Sequence, residues 1–389
     1  MIDYQSVLND EIKQLKPSGI RRYFDIAAEM DNVISLSIGE PDFSTPWHVR
    51  QEGIRSLEKG KTWYSPNRGF MELRNEISAW ILRRYHVEYD PKTQILVTVG
   101  GSEAIDLCIR SLVNPGEEVL IPEPSFVCYV PMTQMARGVP VIIETKAEDQ
   151  FRLTAKALRE KITPKTKLLI LPFPNNPTGA VMRREHLEEI AEVVRENNLI
   201  VLSDEIYSEL TYGNVSHVSF SEIEGMKERT IVVNGFSKAF SMTGWRLGFA
   251  VGPRELIAQM TKLHQYAIMS APTMAQYAAT EALKNGDDDI VYMREQYDMR
   301  RRLIVDGLNA MGLTCFEPEG AFYVFPSIQK TGLTSEEFCE RLIYSQQVAV
   351  VPGVAFGKCG EGFVRVAYSN SIKNISEALK RIERFLNTL

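Results

Sequence analysis

Seven short apolar runs, rich in β-branched residues, recur between residues 95 and 251: Ile95–Val99, Glu118–Ile121, Val139–Ile143, Lys167–Leu171, Leu199–Leu202, Thr230–Val233 and Leu247–Val251. Helical stretches such as Ser102–Val113 and Arg184–Glu196 lie between most of them. Near-continuous apolar strands alternating with helices predict an α/β fold whose mostly parallel sheet is covered on both faces. This pattern assigns residues 48–285 to a large domain with a mostly parallel seven-stranded sheet. From Thr273 to Met311 the chain reads as helix, broken only at Asn285-Gly286. Beyond it, Ala321–Phe325, Val348–Val351 and Phe363–Ala367 read as strands, with helices near Ser335–Ser345 and Ser376–Leu386. Residues 286–389 are therefore expected to form a smaller α+β domain, completed by part of an N-terminal arm, residues 1–47, through the strand Val33–Leu36.

Charge narrows the function. With 44 basic and 50 acidic residues the net charge is −6, and no basic block stands out. A nucleic-acid groove or an anionic membrane surface is a poor fit. No apolar run approaches the ~20 residues of a membrane helix, and the charged start of the chain lacks a secretory h-region. Five cysteines without CxxC spacing fit a reducing compartment and speak against a disulfide framework or zinc ribbon. No metal is expected, and a cytoplasmic enzyme is.

Ligands of a parallel α/β sheet sit beyond the carboxyl ends of its strands, so the residues there carry the chemistry. Gly100-Gly101-Ser102 follows the first run and opens a helix; glycines and free N–H groups at a helix start attract an anion such as phosphate. The stretch is neither GxGxxG nor a P-loop. Pro174-Asn175-Asn176-Pro177-Thr178-Gly179 is a stiff loop that aims Asn176. Asp204 ends a fully apolar strand, where a carboxylate needs a cation or donors unless it serves only as a helix cap. Ser237-Lys238, with Arg246 eight residues later, supplies an amine beside two further anion donors. Lys238 is thereby free to form a Schiff base with a carbonyl. A phosphate cradle, a buried carboxylate and such a lysine are together what pyridoxal 5'-phosphate asks of a protein.

Ser35–Asp42, Tyr64-Ser65-Pro66-Asn67, Gly100-Gly101-Ser102, Asn176-Pro177-Thr178-Gly179, Asp204–Tyr207, Ser237-Lys238…Arg246 and Phe363–Val366 stand in the order and spacing of one family. The chain resembles the class I/II aminotransferases of pyridoxal-phosphate fold type I, over about residues 17–370. It is most similar to the bacterial branch of aspartate, aromatic and N-acetyl-diaminopimelate aminotransferases. The resemblance implies pyridoxal 5'-phosphate as cofactor and a ping-pong exchange between an amino acid and a 2-oxo acid, the acceptor being 2-oxoglutarate. It implies that Lys238 bonds the cofactor's aldehyde carbon and then moves the substrate proton. By the same resemblance Asp204 bonds the pyridine N–H, Asn176 and Tyr207 hold the phenolic oxygen, and Phe126 stacks on the ring. Gly101, Ser102, Ser237 and Arg246 would bind the phosphate, and Tyr64 would reach the phosphate of a neighbouring subunit, making a homodimer the functional unit. Arg365 would clamp the substrate carboxylate bidentately, with Asn176 and the Gly39 backbone helping.

The substrate is less constrained. The segment before the long helix, His264–Ser270, carries no basic residue except His264, against a strict aspartate preference. Ile20, Tyr23 and Tyr129 are candidates to line an apolar pocket for a bulky side chain. A β-eliminating C–S lyase on the same scaffold is the alternative reaction; a cofactor-binding regulatory module is disfavoured by the acidic chain.

Overall fold

The computed structural model describes residues 2–17 and 19–389. The strands, in chain order, are β1 (Ile34–Ser35), β2 (Ile95–Thr98), β3 (Glu118–Glu123), β4 (Val139–Glu144), β5 (Thr166–Leu171), β6 (Ile200–Asp204), β7 (Thr230–Gly235), β8 (Gly248–Val251), β9 (Tyr323–Val324), β10 (Val348–Ala349), β11 (Val351–Pro352) and β12 (Val364–Ala367). Strands β2 to β8 form one seven-stranded sheet in the order β2-β8-β7-β6-β5-β3-β4. Only β8 runs against its neighbours; every other pairing in this sheet is parallel.

Alternation along the strands explains why the sheet is covered twice. Leu169, Leu171 and Val201 point into a core with Leu187, Ile190 and Val194 of the helix Arg184–Glu196. Their neighbours Leu168, Ile170 and Leu202 point the other way, against Ile105, Cys108 and Ile109 of the helix Gly100–Leu112. Successive side chains of a strand face opposite sides, so apolar residues at every position bury both faces. Truncating any one of these leucines to alanine would cost about 2–5 kcal/mol.

A second core gathers around β9, β10 and β12. β1 lies parallel to β10, with Ile34 opposite Val348, and Ala367 N–H donates to Leu36 O at 2.8 Å. The N-terminal segment thus adds to the C-terminal sheets. The helix Asp287–Ala310 joins the two cores: Ile290 packs in the core of the large sheet, Met293, Tyr297, Ile304 and Leu308 in the second.

Two strands differ from the sequence expectation. Val348–Val351 is split, its first half pairing with β1 and its second with β12. An apolar run signals burial without specifying a partner for each half. Ala321–Phe325 shrinks to Tyr323–Val324 because Ala321 adopts φ 58°, outside extended backbone. Among the described residues, no helix is long and apolar enough to cross a membrane.

Candidate active site

A cavity of about 510 Å³ opens at the carboxyl ends of the parallel strands. Gly39, Gly101, Ser102, Phe126, Asn176, Asp204, Tyr207, Ser237, Lys238, Arg246 and Arg365 all line it. Of the residues that the resemblance assigns to cofactor or substrate carboxylate, Tyr64 alone stands away, 78% exposed on the surface.

The large sheet delivers most of these side chains at or just beyond the carboxyl ends of its parallel strands. Asp204 is the last residue of β6 and is buried. Its Oδ2 accepts from the Tyr129 hydroxyl at 2.7 Å and its Oδ1 from the Ile206 N–H at 3.2 Å. The carboxylate therefore has the donors its burial demands, and it caps the following turn as well. Burial pushes its pKa up to about 6; the Tyr129 and Ile206 hydrogen bonds oppose the rise. Lys238 follows β7 by three residues, half-buried, and its Nζ donates to Gly39 O at 2.6 Å. Burial lowers its pKa to about 8; nearby Glu40 resists that, while Arg365 and Arg246 add to it.

The anion-binding end is built on backbone conformation. Gly100 starts the helix Gly100–Leu112 with φ +77°, and a Cβ there would lie 2.6 Å from Arg246 Nη2. Glycine lets the guanidinium close over the helix start, where free N–H groups already favour negative charge. Glu103, in the same turn, accepts from Val99 N–H at 2.5 Å.

Arg365, on β12, is 2% exposed. Nη1 donates to Asn176 Oδ1 at 2.9 Å and Nη2 to Ser37 O at 2.5 Å, while Nε has no partner among the described residues. Its guanidinium lies over the Tyr323 ring at 4.5 Å and the Phe356 ring at 4.8 Å. This fork is aimed and partly unsatisfied, the state in which a planar cation takes a carboxylate.

One sequence expectation is corrected: Tyr23 is 1% exposed within the C-terminal core and does not line the cavity. Ile20 and Tyr129 do line it as expected, and the Tyr129 hydroxyl also donates to Asp204. His264, the one basic candidate for a distal carboxylate, is fully buried, its Nδ1 2.6 Å from Glu103 Oε1, and lies outside the cavity lining.

The sequence also left some residues unnamed. Tyr323 lines the cavity, and its hydroxyl lies 2.8 Å from that of Tyr207. Glu40 and Thr243 stand at the same wall, with Thr243 Oγ1 donating to Glu40 at 3.2 Å. Tyr323 sits in an apolar strand where nothing local separates a site residue from a core residue. Glu40 was within reach, since it follows Gly39 directly.

Comparison with known proteins gives this geometry a family. The model of the family "aminotransferase class I and II" matches residues 31–382. A Bacillus subtilis (strain 168) chain provisionally named aminotransferase YugH is 52% identical over 382 residues, 98% of this chain and 99% of its own length. The aspartate aminotransferase of Pyrococcus abyssi is 46% identical over 381 residues, covering 97% of this chain and 98% of its own. The crystal structure of an aromatic aminotransferase from Pyrococcus horikoshii OT3 superposes with a TM-score of 0.90 at 46% identity, covering 95% of this chain and 99% of that one. A likeness of this extent, in model, sequence and structure alike, places the chain in the class I and II aminotransferases, enzymes that transfer amino groups.

Proposed function

We propose that the chain exchanges an amino group between an amino acid and a 2-oxo acid in a ping-pong cycle, with pyridoxal 5'-phosphate seated in the cavity. The observation that carries this reading is the meeting of an amine of lowered pKa, a buried ionisable carboxylate and a cationic helix start in one cavity. The residues present fit that cofactor. Gly100 leaves room for a guanidinium where any Cβ would collide, and Asp204 presents a buried carboxylate to the same cavity. When bound, the cofactor supplies an electron sink for the carbon that loses its proton.

The protein's residues do the rest. Lys238, partly neutral near pH 8, holds the cofactor and carries the proton at its Nζ. Asp204 would keep the pyridine nitrogen protonated. Phe126 would stack on the ring, and Asn176 with Tyr207 would hold the phenolic oxygen. Gly101, Ser102, Ser237 and Arg246 would hold the phosphate. Arg365 orients the substrate carboxylate, helped by Asn176 and Gly39. Exposed Tyr64, together with the exposed Trp63, Tyr266, Ile268 and Met269, supports assembly as a homodimer in which Tyr64 serves the neighbouring site. The domain boundaries proposed are residues 48–285 and 286–389, with 1–47 as the arm.

The donor belongs to the aspartate, aromatic or diaminopimelate type and the acceptor is 2-oxoglutarate. Relatives named for aspartate and for aromatic amino acids support this range, and Ile20 in the cavity wall favours a side chain with apolar surface. The test is a half-reaction. The protein, reconstituted with pyridoxal 5'-phosphate and given single amino acids without an oxo acid, loses its visible cofactor band with the true donors. A band that no amino acid discharges, or full transfer by Lys238→Ala, overturns the reading; pyruvate and ammonia released without an acceptor would mark a lyase.

A further inference from the structure

We propose that Tyr129 is a positioning residue: its hydroxyl holds the Asp204 carboxylate ionised and fixed in direction, so that the pyridine nitrogen meets an anion. The proposal rests on the cofactor reading above and adds a residue to it.

Tyr129 opens the short helix Tyr129–Met135 and is 1% exposed. Its ring sits in the core beneath the sheet with Leu96, Ile121 and Val233, and Phe126 meets it edge-on at 6.1 Å. A tyrosine so packed has little rotational freedom, so its hydroxyl direction is set by the core rather than by the cavity. That hydroxyl ends 2.7 Å from Asp204 Oδ2. The distance is that of a charge-assisted O–H···O⁻ bond. The carboxylate's other donor, the Ile206 N–H, is at 3.2 Å and is the weaker of the two.

The surroundings of Asp204 make the bond matter. Glu205 and Tyr207 flank it on its own segment, Cys128 and Tyr129 face it from the helix start, and Lys238 faces it from the loop after β7. Glu205 disfavours the charge and Lys238 favours it, and burial disfavours it most. A carboxyl with a pKa of about 6 is ionised at neutral pH by a narrow margin. A hydrogen bond to a charged group is worth roughly 1.5–3 kcal/mol, or about one to two pH units. Removal of the Tyr129 hydroxyl therefore carries Asp204 across neutrality. A neutral acid in that place would no longer hold a ring N–H by charge.

The test begins on the cofactor-free protein. Carboxyl-¹³C aspartate labelling, with Asp204→Asn to assign the resonance, reads the Asp204 titration directly. Tyr129→Phe keeps the ring and should raise the midpoint by about one to two pH units. Tyr129→3-fluorotyrosine fills nearly the same volume, makes the hydroxyl a stronger donor and should lower it, so a Phe variant that fails to fold leaves the question decidable. The second reading is pyridoxal-phosphate affinity in a double-mutant cycle at pH 7. Tyr129→Phe should weaken binding roughly tenfold or more, and the factor should shrink toward one in the Asp204→Asn background. Unchanged midpoints in the variants that fold, or an affinity loss that persists without the Asp204 charge, overturn the proposal. A wild-type chain that binds no pyridoxal phosphate defeats the cofactor reading instead, while the titration still judges the Tyr129 bond.

Discussion

Arg365 Nη1 donates to Asn176 Oδ1 at 2.9 Å, tying a strand of the C-terminal sheets to the loop after β5 of the large one. The guanidinium also lies over the Tyr323 and Phe356 rings, which together with its hydrogen bonds hold it in place before any substrate arrives. With Nη1 and Nη2 engaged by neutral acceptors and Nε without a partner among the described residues, a substrate carboxylate gains a pre-aimed donor and displaces weaker neutral contacts.

Arg365→Leu should accordingly lower kcat/KM for amino acid and oxo acid alike, on the order of a hundredfold, a loss of about 3 kcal/mol. Pyridoxal-phosphate affinity should hold. Arg365→Lys should not restore the rate, since an ammonium cannot make the bidentate contact. Stopped-flow half-reactions measure this; unchanged KM values for both substrates would remove the clamp role.

Lys238 should react with an amine-directed acylating reagent, in the cofactor-free protein, with a midpoint near pH 8 rather than at the ordinary lysine value of 10.5. Burial is the main cause, and Glu40 opposes it. Glu40→Gln should therefore move the midpoint lower still. Peptide mapping of the labelled lysine across pH reads both, and a midpoint above 10 contradicts the burial argument.

Asp204 should cost the empty protein stability. Its folded pKa of about 6 exceeds the unshifted 3.8, so the carboxyl binds its proton more tightly folded than unfolded. Stability falls as pH rises from 3.8 to 6, and the penalty, on the order of 3 kcal/mol, is complete above that. Asp204→Asn should raise the Tm of the cofactor-free protein at pH 7 and change it little below pH 4. Calorimetry at the two pH values decides it; equal shifts at both would show that charge is not the cause.

Glu123 ends β3 directly opposite Glu144 of β4, with Lys358 near Glu123. Burial first, and Glu144 second, push its pKa from 4.5 up to about 7. The sign is again that of a raised acid: stability is lost between pH 4.5 and 7. Glu123→Gln should stabilise above pH 7 and be neutral below 4.5, and a denaturant midpoint series across pH reads it. A gain of equal size at acid pH would point to packing instead.

The sheet was legible because each of its seven strands is an apolar run long enough to stand out, and the site because its residues follow those runs at their carboxyl ends. Asp204 announced a need for donors; that the donor is Tyr129 was not readable, because the two residues meet only through tertiary packing, 75 positions apart. Tyr23 misled for a related reason. An aromatic ring near a site motif reads the same whether it faces the cavity or the core, and here it faces the core. The split of Val348–Val351 between two sheets was beyond reach too, since pairing partners lie far away in the chain.

The reversed strand β8 has a consequence for how this catalyst can be altered. Its parallel neighbours bring their trailing ends to the rim, whereas β8 brings its leading end, so the link from β7 leaves the rim and returns to it within residues 236–247. Lys238 and Arg246 therefore ride on one short tether whose two ends are clamped in adjacent strands. Lengthening that tether by even one residue would shift the amine and the anion donor together relative to Asp204, so natural and engineered variation should fall outside it, in the connections that do not begin and end on the same rim.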